Sequence, residues 1–290
     1  MAGVCFDGCH MEAGQPSRTA QGAAVHRAAH QLLDPPLVFK DALALRIIGP
    51  EAEAGLRGAA AEHATVAARA LRAFIAARSR FAEDSFTAAR VRGVRQYVLL
   101  GAGLDTFAYR ADGGGLTVFE VDHPATQAWK RERLAEVQIA VPSHVVFAPV
   151  NFETETVAEG LVRAGLDKAQ PAFFAWLGVV PYLTAEAVYT TLSLIVATMP
   201  AGSEIVFDYT LPIPQDGTKN GVSELAARVA AVGEPLRSFF EPATLAQKAR
   251  SIGFSEVEDL DGAVLNARYF RGRADGLEVR GRAHVVKLRV

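Results

Sequence analysis

Residues 96–106 read Gln96-Tyr97-Val98-Leu99-Leu100-Gly101-Ala102-Gly103-Leu104-Asp105-Thr106. The apolar run at 97–100 stops abruptly at a Gly-x-Gly turn. So short a run, ending in two glycines, reads as a buried parallel strand feeding a tight loop. Glycines there let backbone N–H groups approach a ligand that a side chain would block. A second apolar run, 116–121, ends at Asp122, about 20 residues past the turn, the spacing of an acidic group that binds ribose. A carboxylate at a strand tip suits a bidentate hydrogen bond to ribose hydroxyls. The pattern predicts a nucleoside-containing cofactor.

Composition narrows the setting. The chain has 290 residues, half of them hydrophobic, which is enough to bury one large α/β core. A net charge of -2 argues against nucleic acid as partner, because phosphate binding needs a basic field. No apolar run reaches membrane-spanning length, and no secretory signal pattern opens the chain. The cysteines, Cys5 and Cys9, lie in a Gly-rich start, and a bridge across so short a loop would constrain little. These features predict a cytoplasmic protein that acts on a small molecule, as a monomer or homodimer, without a metal centre.

Outward from the glycine turn, strands alternate with helices. Strands are predicted at 96–100, 116–121, 145–150, 172–177 and 203–207, then at 254–260 and 284–290, the last pair antiparallel and joined by an Arg- and Gly-rich linker at 265–279. Helices are predicted over 19–48 with a break at Pro35-Pro36, over 59–90, 126–137 and 154–164, and from Thr184 onward. The alternation predicts a doubly wound parallel sheet. Residues 1–16 read as a flexible tail, and 17–290 as one domain. Within it, 17–92 are N-terminal helices, 93–210 the cofactor core, 211–240 a helical cap with a helix at 222–231, and 241–290 the closing strands.

Two cofactor classes compete. A dinucleotide prefers a third glycine, which packs the helix onto the strand; here that position is Thr106. Asp105, in the loop, would repel a pyrophosphate and instead suits an ammonium. S-adenosylmethionine carries an ammonium, a sulfonium and a ribose, and no phosphate. The residues therefore favour it over NAD.

The motif at 99–106, with Tyr109-Arg110 after it, resembles the first motif of the leucine carboxyl methyltransferase-like family of S-adenosylmethionine-dependent O-methyltransferases. That family includes bacterial enzymes that methylate polyketides and other natural products. Further segments match in order: Ser17-Arg18-Thr19-Ala20 with Arg27-Ala28, Asp41-Ala42-Leu43-Ala44, and Ala77-Arg78-Ser79-Arg80-Phe81. Phe119-Glu120-Val121-Asp122-His123-Pro124 with Lys130 follows, then Trp176-Leu177-Gly178-Val179-Val180-Pro181-Tyr182, and finally Tyr269-Phe270-Arg271-Gly272-Arg273. The match spans nearly everything after residue 16.

The resemblance implies a class I methyltransferase sheet of seven strands, the last antiparallel, with N-terminal helices and a helical cap. It also implies roles. Gly101, Ala102 and Gly103 would lie under the cofactor, with Asp105 nearby and Asp122 on the ribose. Arg78 would pair with the methionine carboxylate, and Asn151 and Phe152 would flank the adenine. Leu177 and Gly178 stand where many members carry Glu-Gly, which leaves the ammonium to Asp105 or a backbone carbonyl. His123 is a candidate base and a wall of the cofactor site. Tyr182 is a candidate for contact with substrate or sulfonium, because an aromatic face attracts a cation. Arg18, Arg27 and Tyr209 are further candidates for substrate contact. The expected activity is O-methylation of a small molecule, a carboxylate ahead of a hydroxyl, because a carboxylate is already ionised near pH 7. Two other readings stay open: a cofactor-binding fold that does not methylate, such as a cyclase or scaffold, and an NAD-dependent oxidoreductase.

Overall fold

The computed structural model describes residues 18–59, 62–151, 154–212 and 235–290. The predicted tail at 1–16 and the predicted cap helix at 222–231 lie outside these residues. One sheet is built from β1 (Gln96–Leu100), β2 (Thr117–Asp122), β3 (Val145–Pro149), β4 (Ala172–Trp176), β5 (Glu204–Thr210), β6 (Glu256–Leu260) and β7 (Ala283–Arg289). The order is β3-β2-β1-β4-β5-β7-β6, and β7 runs antiparallel to both neighbours. This is the seven-stranded arrangement that the resemblance implies. β1 and β4 are buried along their whole length. A strand covered on both faces reads as an unbroken apolar run, which is why these two stood out in the sequence.

The two faces of the sheet carry separate cores. On one face lie α4 (Val66–Val91), α5 (Phe107–Arg110) and α10 (Gly262–Tyr269), with Tyr97, Leu99, Phe173 and Val206 beneath them. On the other lie α7 (Val157–Arg163), α8 (Ala185–Thr198) and α9 (Pro242–Ile252), over Val98, Leu100, Phe174 and Phe207. Side chains that alternate along β1 therefore serve both cores. Tyr97 and Phe107 stack with centroids 4.0 Å apart, and Phe86 meets Tyr97 edge-on at 4.7 Å. These are the offset and edge arrangements that aromatic quadrupoles prefer, and they seat α5 directly behind the glycine loop. A third cluster joins α1 (Arg18–Leu33), α2 (Ala44–Ile47) and α3 (Pro50–Gly58) to Leu104 of that loop and to Leu134 of α6 (Pro124–Glu136).

Some boundaries differ from the sequence reading. The linker expected at 265–279 holds α10, opened by Asp261, whose carboxylate accepts from Val264 N at 2.8 Å. β5 continues past 207 because Asp208 and Tyr209 pair in register with Val285 and His284. α7 begins at Val157, later than 154, where Thr156 and Glu159 form a reciprocal capping box; such a box fixes the first turn.

The N-terminal helices are tied down by one buried carboxylate. Arg72 donates to Asp34 through Nε (2.8 Å) and Nη2 (2.9 Å). His30 Nδ1 lies 3.0 Å from the same group, while His30 Nε2 accepts from Val38 N and Phe39 N. A ring protonated at Nδ1 alone satisfies all three contacts. Arg273, far along the chain, donates to the backbone oxygens of Asp34 and Pro36.

Burial by itself raises the Asp34 carboxyl, but hydrogen bonds from Arg72 and His30 and the charge of Arg72 outweigh it and hold it at about 2. A carboxyl lowered by folding stabilises the native state above its unfolded value, and that stability disappears as pH falls through the folded value. Asp34→Asn leaves the Arg72 charge buried and uncompensated. It should lower the urea-unfolding free energy by about 3–5 kcal/mol at neutral pH. In the same assay, the gap between wild type and variant should narrow as pH falls from 3.8 toward about 2.

Candidate functional site

Ligands of open α/β sheets bind beyond the carboxyl ends of the strands. In this chain five parallel strands end there, and four of them, β2, β1, β4 and β5, stand side by side in that spatial order beyond β3. Three strand spacings make the row about 14 Å long.

The glycine loop after β1 is tightly held. Gly101 and Gly103 have φ of 70° and 41°, a region that favours glycine. A Cβ on Gly101 would meet Val179 Cγ2 at 2.5 Å, and one on Gly103 would meet the Ala20 methyl at 3.0 Å. The loop is therefore squeezed between α1 and the turn after β4. Gly101 N and Ala102 N both donate to Val121 O, and Gly103 N donates to Asp122 Oδ2 at 2.6 Å. The expectation that these N–H groups face a ligand is thus corrected: all three are bonded within the protein. The glycines serve close packing instead.

Asp122 ends β2. Besides Gly103 N, its carboxylate accepts from His123 N at 2.7 Å. Burial raises the carboxyl above its usual value, against the lowering effect of these two bonds. Each oxygen keeps a second lone pair, so two hydroxyls on adjacent carbons fit as donors. His123 caps α6 by accepting from Ala125 N at its Nδ1 (3.2 Å). In the neutral ring Nε2 then carries the proton, so this tautomer has no free nitrogen lone pair for a base. The placement suits a wall of the site rather than catalysis. Asn151 follows β3 and is half-buried, its N–H 3.3 Å from Glu155 Oε1. Phe152 and the side chain of Arg18 lie outside the described residues.

At the other end of the row, Gly178 has φ of 72°, and a Cβ there would meet Arg78 Nη2 at 2.7 Å. Arg78 reaches across from α4. Its Nη1 donates to Asp208 Oδ2 (2.8 Å), and Gly178 N donates to Asp208 Oδ1 (2.6 Å). Arg78 Nε is buried without a hydrogen-bond partner. Such an orphan is costly, and a ligand carboxylate would satisfy it. Leu177 packs against the core, and Tyr182 closes the short 3-10 turn Val180–Tyr182, half-buried.

Three candidates are taken up by contacts within the protein. Arg27 is buried, donating to Asp41 Oδ2 (2.7 Å) and to Leu104 O (2.6 Å); it braces the loop rather than gripping a substrate. Tyr209 is fully buried, its hydroxyl donating to Asp259 beside His284, so it has no face for a substrate. Asp105 accepts from Phe107 N, the first N–H of α5, at 2.7 Å, a local task that the ammonium reading did not foresee.

Sequence reasoning missed the groups beneath the loop. Asp41 is buried and accepts from Arg27, from Thr106 Oγ1 (2.7 Å) and from Leu43 N (3.0 Å), with Arg110 Nε at 3.2 Å. Burial acts to raise its carboxyl, but the charges of Arg27 and Arg110 hold it below the usual value. Glu120, also buried, accepts from Lys130 Nζ (2.8 Å) and Tyr109 Oη (2.8 Å). Asp41, Glu120 and Lys130 stood within the quoted motifs, but no spacing rule marked them as a network. Asp208 reads from the sequence as the end of the fifth strand near the cleft, for substrate contact or strand-end capping; its pairing with Arg78 carries no local signal.

Comparisons with known proteins bear on the family and the fold. Residues 20–196 match the leucine carboxyl methyltransferase family. The Bacillus subtilis protein YktD, a proposed S-adenosyl-L-methionine-dependent methyltransferase, is 31% identical over 95% of this chain and 98% of its own. Rv1896c of Mycobacterium tuberculosis, a proposed enzyme of the same kind, is 34% identical over 64% of this chain and 62% of its own. Among solved structures, a proposed methyltransferase from Thermobifida fusca superposes with a TM-score of 0.57 at 16% identity, covering 96% of both chains. That likeness speaks for the fold. With the family match spanning most of the chain and YktD aligned almost end to end, this protein belongs to the leucine carboxyl methyltransferase family.

Proposed function

We propose that this chain transfers a methyl group from S-adenosylmethionine to an oxygen of a small molecule, a carboxylate ahead of a hydroxyl. The observation that carries the reading is the pairing of two unsaturated groups at opposite ends of one row. Asp122 has acceptor capacity left for a ribose, and Arg78 Nε–H has no acceptor. A nucleoside with an amino-acid tail matches both. A dinucleotide matches poorly, since its pyrophosphate needs free N–H groups at the glycine turn, and those of Gly101, Ala102 and Gly103 are taken.

When bound, the cofactor would supply a sulfonium methyl group: an acceptor lone pair would bond to its carbon in line as the S–C bond breaks, with S-adenosylhomocysteine as the leaving group. The chain's own work is alignment, which can lower such a barrier by several kcal/mol. Asp122 and Arg78 hold the two ends of the donor, and the 3-10 turn bearing Tyr182 stands beside the β4–β5 end. A carboxylate acceptor needs no base. That suits a site where His123, the candidate base, is spent on capping α6. The family's description, with its carboxyl acceptor, points the same way.

Asp122→Asn should weaken S-adenosylmethionine binding tenfold or more in calorimetry, the loss of about 1.5–3 kcal/mol expected for a charged hydrogen bond. Wild-type affinity should fall as pH drops through the raised Asp122 value, while the variant stays flat there. For the acceptor, methyl-labelled cofactor and a library of carboxylic acids and alcohols should give S-adenosylhomocysteine together with a labelled product. Release of methanol in mild alkali identifies an ester; an alkali-stable product identifies an ether. Cofactor binding with no S-adenosylhomocysteine from any acceptor would favour a fold that binds without methylating.

A further inference from the structure

Arg78 sits between two carboxylates, one belonging to the protein and one proposed for the ligand. The protein's own is Asp208, nearly buried on β5. Its oxygens divide their duty: Oδ2 accepts from Arg78 Nη1 at 2.8 Å, and Oδ1 accepts from Gly178 N at 2.6 Å. The guanidinium is planar with donors in a fixed fork, so holding Nη1 dictates where the other edge points. That other edge carries the orphaned Nε–H. The packing is close enough that a Cβ on Gly178 would strike the guanidinium, at 2.7 Å from Nη2 and 3.2 Å from Cζ. Gly178 adjoins Val179, which in turn touches the glycine loop at Gly101. One continuous contact path thus links Asp208, Arg78 and the cofactor loop.

We infer that Asp208 is a positioning residue: it fixes the Arg78 guanidinium so that its Nε edge faces the carboxylate of the cofactor's amino-acid tail. The inference rests on the cofactor reading above and deepens it. Asp208 then governs affinity for the tail and leaves the adenosine end untouched. Neither oxygen of Asp208 can be replaced by an amide nitrogen without setting donor against donor, because both partners are donors. Asp208→Asn therefore keeps the shape and breaks one of the two holds.

The test compares S-adenosylhomocysteine with 5′-methylthioadenosine, a nucleoside that lacks the amino-acid tail. Dissociation constants are measured by calorimetry for wild type, Asp208→Asn, Asp208→Ser and Arg78→Gln, with near-UV circular dichroism checking each fold. Asp208→Asn and Asp208→Ser should weaken S-adenosylhomocysteine about tenfold and leave 5′-methylthioadenosine within about twofold. Adding Asp208→Asn to Arg78→Gln should cost nothing further, since residues acting as one unit are not additive. An unchanged preference for the tailed ligand in both Asp208 variants would overturn the inference. So would equal weakening of both ligands, which marks a merely structural role. Wild type that binds neither ligand would instead sink the cofactor reading, and the inference with it.

Discussion

Asp41 is the carboxylate on which the glycine loop depends. Arg27 of α1, Thr106 behind the glycine turn and Arg110 of α5 all converge on it, and Arg27 also holds the Leu104 carbonyl. A buried charge is tolerated only when paired and hydrogen-bonded. Each partner must therefore be in place before any of them is at ease. The helices in front of the sheet share this carboxylate with the glycine loop. Those helices do not merely cover apolar surface; they set the height and tilt of the loop between β1 and α5.

A second layer of charge lies directly under the first. Glu120 and Lys130 are both buried, and Lys130 Nζ also lies 3.4 Å from Ala102 O. The glycine turn is thus braced from α1 through Asp41 and from α6 through Lys130. Its backbone donors are consumed by β2. Among the described residues, the Asp122 oxygens keep acceptor capacity and the Nε edge of Arg78 keeps an unbonded donor. That inventory suits a cationic, phosphate-free cofactor better than a charged pyrophosphate.

The parts legible in the sequence were those written in periodicity. β1 and β4 are continuous apolar runs because both their faces are covered, and the Gly-x-Gly turn with Asp122 announced itself by spacing. The parts that were not legible depend on pairings far apart in the chain. Asp208 meets Arg78 across 130 residues, and Arg27 meets Leu104 across 77. No local pattern distinguishes an arginine that braces a carbonyl from one that greets a substrate. For the same reason Arg27 and Tyr209 looked available and were not. The helix at Gly262–Tyr269 was missed because Arg and Gly nearby read as a linker, although Asp261 supplied a capping signal.

The hold of Arg273 on the backbone of Asp34 and Pro36 joins positions 239 and 237 residues apart. Chains are made from the amino end at about 5–20 residues per second. The first helices therefore emerge and wait on the order of tens of seconds for the arginine that clasps their connecting turn. During that interval the early segment can find Arg72 and Arg110 but not its last fastening. The helices around Asp34 are in this sense fastened late: residue 273 must be made before their connecting turn is fully secured.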